Sequence, residues 1–134
     1  MSVYVQKNYG QPTSYLQRYT MRVDGFGSVH ANYEDGEMLT KPIRLNSNQD
    51  NKGSVQLHLN AATSAAGSIR VEIQGAHGKA IAGYSLDDFD EFIGDQVDHI
   101  ASWADNSSLS SVIEQTVRLR FVLKDADVYS IQAD

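Results

Sequence analysis

Charged side chains that are able to bind sugar hydroxyls recur at every second position in several segments. Residues 68–74 place Arg70 and Glu72 opposite three apolar residues, and residues 116–123 place Arg118 and Arg120 in the same way. The arginine fork donates two parallel hydrogen bonds, which suits vicinal hydroxyls and uronate carboxylates. The residues predicted for such a binding face are Arg22, His58, Arg70, Glu72, Arg118 and Arg120. Cross-strand ion pairs on a solvated or docking surface are the alternative interpretation.

An aromatic ring beside this face would stack on the apolar side of a sugar ring. Tyr84 and Trp103 are predicted for that role, and Tyr15 and Tyr33 are further candidates. Trp103 is the single tryptophan. The alternative is a place in the core or at its rim, where a lone tryptophan in a small β domain is usually found.

The acidic run between residues 85 and 95 indicates a second kind of chemistry. Calcium requires several oxygen ligands, and closely spaced carboxylates are able to supply them. The spacing does not match an EF-hand loop. Acidic residues in the first turn of a short helix are the alternative, because they interact favourably with the helix dipole. The residues predicted for a structural Ca²⁺ are Asp87, Asp88, Asp90 and Asp95.

The sequence contains no motif that fixes a catalytic geometry. Glycoside hydrolysis needs two carboxylates roughly 5–10 Å apart. The candidate pair in this sequence is Glu72 with either Glu37 or Asp95. The four histidines have no partner two or four residues away, so they do not form a metal-binding motif. We therefore predict that the domain is not an enzyme, with a small metal-dependent hydrolase as the alternative.

The elements that must position these residues are β-strands. Alternation of apolar residues is strongest in residues 54–60, 68–74 and 116–123, and weaker in 3–9, 15–23, 27–33, 38–45, 97–103 and 127–131. Turn-forming residues lie between them, at 46–53, 65–67 and 75–79 among other places. Pro42 predicts an edge strand or a bulge.

Two short segments have a helical pattern instead. Residues 85–92 begin with Ser85, which is able to cap a turn whose third position is Asp88, and a second helical turn is predicted near 109–115. The predicted fold is all-β: a β-sandwich or jelly roll of about eight or nine short antiparallel strands with one short helical turn.

Length and composition predict a single domain, residues 1–134, with 41% hydrophobic and 21% charged residues. With 11 basic and 17 acidic residues the net charge is −6, which argues against a nucleic-acid partner or an anionic membrane. The absence of cysteine excludes disulfides and thiol chemistry. No signal-peptide pattern opens the chain.

Several short motifs together carry a family resemblance. They are RVDGF at 22–26, GEM at 36–38, TKP at 40–42, TSAAGSIRVE at 63–72, GYSL at 83–86, GD at 94–95 and VRLRF at 117–121. Residues 16–131 thereby resemble the C-terminal β-sandwich module of bacterial glycoside-hydrolase-type five-bladed β-propeller proteins. The sequence departs from the family pattern at two places. It has His77 where such modules place an acidic turn residue, and it ends with Gln132-Ala133-Asp134 where they place an aromatic residue.

The resemblance implies a sandwich fold in a carbohydrate-related, secreted or periplasmic parent protein, with the catalytic carboxylates on the propeller. We therefore predict a non-catalytic carbohydrate-binding module associated with glycoside hydrolases, whose partner is a polysaccharide or oligosaccharide. The alternative is a structural β-sandwich that docks on a catalytic propeller domain and has no ligand of its own.

Overall fold

The computed structural model describes residues 1–46 and 55–134. Most of the turn predicted at 46–53, and the first residue of the strand predicted at 54–60, lie outside the described residues. The described elements in chain order are β1 (Ser2–Lys7), β2 (Tyr15–Thr20), β3 (Val29–Ala31), β4 (Gly36–Leu39), β5 (Ile43–Arg44), β6 (Leu57–Gly75), β7 (Asp95–Ile100), a 3-10 helix (Ser110–Val112) and β8 (Thr116–Ala133).

The two long strands β6 and β8 form the centre of the fold. They pair antiparallel from Leu57 opposite Ala133 to Gly75 opposite Val117. The sequence pattern divides each of them into two strands, and it predicts a turn at residues 65–67. In the structure these residues form an irregularity within β6, where the register shifts between Thr63 and Ser68, so the chain does not reverse there.

Gly67 explains why this irregularity is possible. A Cβ atom at this position would collide with the backbone carbonyl oxygens of Lys124 and Asp125. Glycine therefore lets the bulged part of β6 approach the backbone of β8, which is a recurrent reason for glycine within a strand.

Shorter strands complete a six-stranded sheet around this pair. β3, β4 and β5 follow one another along the outer edge of β8, and β7 pairs with the outer edge of β6. Pro42 lies between the edge strands β4 and β5, as its missing N–H predicts. Thr40 bridges the gap, because its Oγ1 accepts a hydrogen bond from the Leu119 N–H at 2.9 Å.

The core lies on one side of the sheet, beneath the two mostly irregular segments that flank β7, residues 81–94 and 101–113. Trp103 is at its centre and is 1% exposed. Its indole N–H donates to the Val71 carbonyl oxygen at 2.9 Å, and the rings of Tyr84 and Phe89 pack edge-on against it, each with centroids 5.3 Å away. The sheet contributes the largest apolar side chains, which are Leu57, Leu59, Ile69, Val71, Ile73, Leu119, Phe121 and Leu123.

The helix predicted at residues 85–92 is not formed. The predicted capping contacts are present, since the Ser85 hydroxyl donates to Asp88 Oδ2 at 2.6 Å and the Ser85 N–H donates to the same oxygen at 3.2 Å. Beyond this turn Phe89 and Phe92 make β-bridges with Trp103 and Ile69. The chain is extended here and buries both phenylalanine rings, and it therefore does not form the helix. The helical turn near 109–115 is confirmed as the 3-10 helix.

The all-β prediction is confirmed, and the architecture is sandwich-like because a sheet and a covering layer enclose the core. The jelly-roll arrangement is not confirmed: the described strands form a sheet of six and a separate two-stranded hairpin, β1–β2. Within residues 1–46 and 55–134, no helix has the length and apolar character needed to cross a membrane.

Replacing Phe121 by alanine is expected to lower the free energy of unfolding by about 3–5 kcal/mol, because a fully buried ring is lost and a cavity remains. Urea denaturation followed by the fluorescence of Trp103 measures this change. The matched control is Phe26→Ala, since Phe26 is 77% exposed, and it is expected to stay within about 0.5 kcal/mol of the parent. Equal effects of the two substitutions would contradict the assignment of the core.

Candidate functional site

The outer side of β6 and β8 carries most of the predicted polar residues. Glu72 lies opposite Arg120, and Gln74 lies opposite Arg118. Because the intervening residues point into the core, these side chains share one face of the sheet with Arg70. The sequence pattern predicts this common face correctly. We call Arg70, Glu72, Gln74, Arg118 and Arg120 the arginine ladder.

Much of the arginine ladder is occupied by internal ion pairs. Arg120 donates to Glu37 of β4 at 2.5 Å, and another of its nitrogens lies 3.5 Å from Glu72. Glu72 is 8% exposed and also accepts a hydrogen bond from Gln74 at 2.7 Å. Arg120, through its hydrogen bond and its charge, lowers the pKa of Glu37 below its ordinary value. Arg120 and Glu72 thus fit the ion-pair interpretation.

The same face forms a cleft of about 290 Å³ at its other end, near the start of β6 and the end of β8. The loop at residues 23–24 and strand β7 enclose it. We call it the His58 cleft. Its polar lining comprises Asp24, His58, Asn60, Asp98, Ser130, Gln132 and Asp134, and its apolar walls include Val23 and Val97.

His58 is held in place by carboxylates on both sides of its ring. Its Nδ1 lies 2.6 Å from Asp98 Oδ1, and its Nε2 lies 3.1 Å from Asp134 Oδ1. The side chain of Gln132 donates to the other oxygen of Asp134 at 2.8 Å. The side chains of Asp98 and Asp134 remain 75% and 44% exposed. The cleft therefore presents fixed hydrogen-bonding groups that are open to solvent.

Arg22 holds one wall of the His58 cleft in place without lining the cleft itself. Its guanidinium bonds the side chains of Asn60 and Asp95 and donates to the Ala61 carbonyl oxygen at 3.0 Å. Asn60 in turn donates to the Val23 carbonyl oxygen at 2.7 Å. These contacts fix the loop that carries Val23 and Asp24. Arg22, predicted as a ligand-binding residue, is better described as a positioning residue.

The prediction of an aromatic platform at Tyr84 or Trp103 is wrong. Tyr84 is 4% exposed and Trp103 is 1% exposed. The Tyr84 hydroxyl donates to the Ser108 carbonyl oxygen at 2.7 Å. Both rings fill the core beneath the sheet, so neither offers a face to a ligand. The alternative of a core tryptophan is the correct one.

The predicted calcium ligands do not converge. Asp88 caps the turn at Ser85, Asp90 accepts from the Ser102 hydroxyl at 2.5 Å, and Asp95 pairs with Arg22. Asp87 is exposed. Across residues 1–46 and 55–134 no group of three or more histidine or acidic side chains is arranged to hold a metal ion. The structural Ca²⁺ predicted at these four residues is corrected accordingly.

The histidines also lie apart. His30 contacts Asp127 at 3.2 Å and Asn32 at 3.1 Å, on the β3 side of the sheet. His99 packs on Phe92 with ring centroids 4.5 Å apart, and burial lowers its pKa. His58 lies in the cleft.

Glu37, one of the two carboxylates predicted as a hydrolytic partner for Glu72, has the wrong electrostatics to be a general acid. Glu37 and Glu72 are both held by Arg120. A general acid needs a raised pKa, whereas Arg120 lowers the pKa of Glu37.

The sequence pattern predicts His58 as a site residue and does not predict most of its neighbours in the cleft. Asn60 is visible in the pattern, because it alternates with Leu57 and Leu59 on the side of His58. Asp24 and Asp134 lie outside the predicted strands. The pairing of β6 with β8 brings Asp134 to His58, and the contacts of Arg22 and Asn60 bring the loop with Asp24 there.

Comparison of the chain with protein-family models, with curated proteins and with solved structures finds no match in any of the three.

The Glu37–Arg120 ion pair predicts that the stability of the protein depends on pH. Because the folded-state pKa of Glu37 lies below its unfolded value, the pair contributes stability above the unfolded pKa, and that contribution is lost as the pH falls through the folded pKa. Glu37→Gln is therefore expected to lower the Tm at neutral pH, and the difference from the parent should vanish on acidification below about pH 4.

The measurement is a series of thermal melts between neutral and acidic pH. Glu91→Gln is the control, because Glu91 is exposed and forms no ion pair among the described residues. If the difference in Tm between Glu37→Gln and the parent protein grows as the pH falls, the stabilising role of the Glu37–Arg120 pair is contradicted.

Proposed function

We propose that this protein is a non-catalytic carbohydrate-binding module and that the His58 cleft is its sugar site. The observation that carries the proposal is the cleft itself, in which oriented carboxylate, amide, hydroxyl and imidazole groups line one open end of a rigid sheet. Sites built on strands keep such groups in a fixed geometry, which reduces the ordering cost of binding.

The lining has the chemistry that sugar hydroxyls require. Each hydroxyl both donates and accepts a hydrogen bond. Asp24, Asp98 and Asp134 supply acceptors, and the amide of Gln132 adds a donor at the same rim. Hydrogen bonds to charged groups are stronger than those between neutral groups. Val23 and Val97 supply short apolar walls for the C–H face of the ring.

Binding at this site is expected to be modest. The carboxylates are partly solvated, so each sugar hydroxyl replaces water at a small net gain. An aromatic platform, which strengthens many such sites, is not among the cleft's lining residues. A Kd from about 10 μM to about 1 mM, or roughly 4–7 kcal/mol, is reasonable.

The family resemblance supports the biological setting of the proposal. It implies an accessory module of a glycoside hydrolase, secreted or periplasmic in its parent protein, whose partner is a polysaccharide or oligosaccharide. The net charge of −6 argues against nucleic acid and against anionic membranes.

A second candidate function is docking on a catalytic domain through the arginine ladder. The Nε of Arg118 is buried and has no hydrogen-bond partner among the described residues. A buried unpaired donor is costly, and a rotation of the Arg118 side chain towards an acceptor on a docked domain would satisfy it. This observation favours an interface at the ladder and leaves the His58 cleft free.

Affinity electrophoresis in gels containing plant or bacterial polysaccharides separates the two candidates. If the cleft binds sugar, the parent protein is retarded by at least one polysaccharide class. His58→Ala and Asp98→Asn should reduce that retardation about tenfold or more, which corresponds to at least about 1.4 kcal/mol. Arg70→Ala should leave the retardation unchanged.

Asp87→Asn is the matched control for Asp98→Asn, because Asp87 is exposed and does not line the cleft. Retardation that is lost in Arg70→Ala and kept in Asp98→Asn would move the sugar site to the ladder. No retardation by any polysaccharide would reject sugar binding and favour docking.

A further inference from the structure

The hairpin β1–β2 lacks a partner among the described strands. Its strands pair with each other over six residues and with no other strand of residues 1–46 or 55–134. Both faces carry exposed apolar side chains. The face with Val3 opposite Tyr19 also holds Val5 and Tyr15, and the other face holds Tyr4 and Leu16. A lone two-stranded hairpin is only marginally stable in water, so a covering surface would stabilise it.

The charge of the hairpin indicates what kind of surface covers it. Residues 1–20 contain Lys7 and Arg18 and no acidic residue, while the other 114 residues hold nine basic and all 17 acidic residues. Arg18 donates to the uncharged Ser2 hydroxyl at 2.9 Å, and it has no acidic partner among the described residues. The complementary surface is acidic.

The rest of this chain provides such a surface on the free edge of its sheet. β7 pairs with β6 on one side, and no strand of residues 1–46 or 55–134 pairs with its other side. It is six residues long, which is the length of each hairpin strand. It carries the exposed apolar residues Val97 and Ile100. It also carries Asp95 and Asp98, which bind Arg22 and His58 through Oδ1 and whose side chains remain 70% and 75% exposed. An unpaired edge of this kind is a template for another strand.

We propose that two copies of this chain form a two-fold dimer, in which the hairpin of each copy adds to the β7 edge of the other. Strand addition pairs the free backbone groups of β7 with those of a hairpin strand. It also brings Lys7 and Arg18 towards Asp95 and Asp98, and it covers apolar side chains on both partners. The two contacts are identical by symmetry, so the assembly closes at two copies.

One consequence rests on the proposed sugar site. Val97 and Asp98 belong both to β7 and to the lining of the His58 cleft. A hairpin on this edge therefore carries its exposed tyrosines to the rim of the partner's cleft, where they would supply the aromatic ring that the cleft itself does not contain.

Light scattering after size-exclusion chromatography of the full chain tests the dimer. At high micromolar concentration the parent protein should have twice the 14.8 kDa mass of one chain. The double variant Lys7→Glu with Arg18→Glu should have the mass of one chain. Lys41→Glu with Lys79→Glu makes the same charge change at exposed positions outside the hairpin and β7, and it should remain a dimer.

Hydrogen exchange gives a second readout on the same samples. The amides of β7 and of the hairpin should lose protection in the hairpin variant and keep it in the control. A parent protein with the mass of one chain would overturn the proposal and assign the hairpin to a different protein. A hairpin variant that stays dimeric would overturn it as well, because the interface would lie elsewhere.

The experiments test the dimer and the sugar site independently. If the protein is a dimer that no polysaccharide retards, the dimer is supported and the proposed function is rejected. If the protein has the mass of one chain and a polysaccharide retards it, the proposed function is supported and the dimer is rejected.

Discussion

The antiparallel pairing of β6 with β8 is the interaction on which the rest of the structure depends. It joins an 18-residue strand to a 19-residue one, and every other strand of the six-stranded sheet pairs with one of them. One side of the pair supplies most of the apolar core, and the other side supplies both the arginine ladder and the end of the sheet that forms the His58 cleft. The core and the candidate site therefore lie on opposite faces of the same pair of hydrogen-bonded strands.

Irregularities in this ladder give the cleft its shape. The register shifts at Asn60 and Ala61, next to the point where β7 also slips against β6. Arg22 binds at this point, and it holds the loop with Val23 and Asp24 against the sheet. Bulges are frequently found beside functional sites because they redirect side chains. The wall of the cleft therefore depends on a local interruption of otherwise regular pairing.

The sequence predicted the parts of the fold that depend on local pattern. Alternation gave the all-β class and the common face of Arg70, Glu72, Arg118 and Arg120, because strand geometry follows directly from period-two residues. It failed where tertiary contacts outweigh local preference. Ser85 and Asp88 form the predicted cap, yet Phe89 gains more by packing against Trp103 than a helix would allow. The cleft combines residues from four distant segments, and strand order together with the contacts of Arg22 brings them together.

The central claim is that sugar binds in the His58 cleft, and backbone amide shifts in a heteronuclear NMR titration test it most directly. The parent protein would be titrated with oligosaccharides from the class that retards it in gels. If sugar binds in the cleft, the amide shifts concentrate at His58, Asp98 and Gln132, and those of Arg70 and Arg118 do not change. Shifts confined to the arginine ladder, or none at saturating sugar, would contradict it.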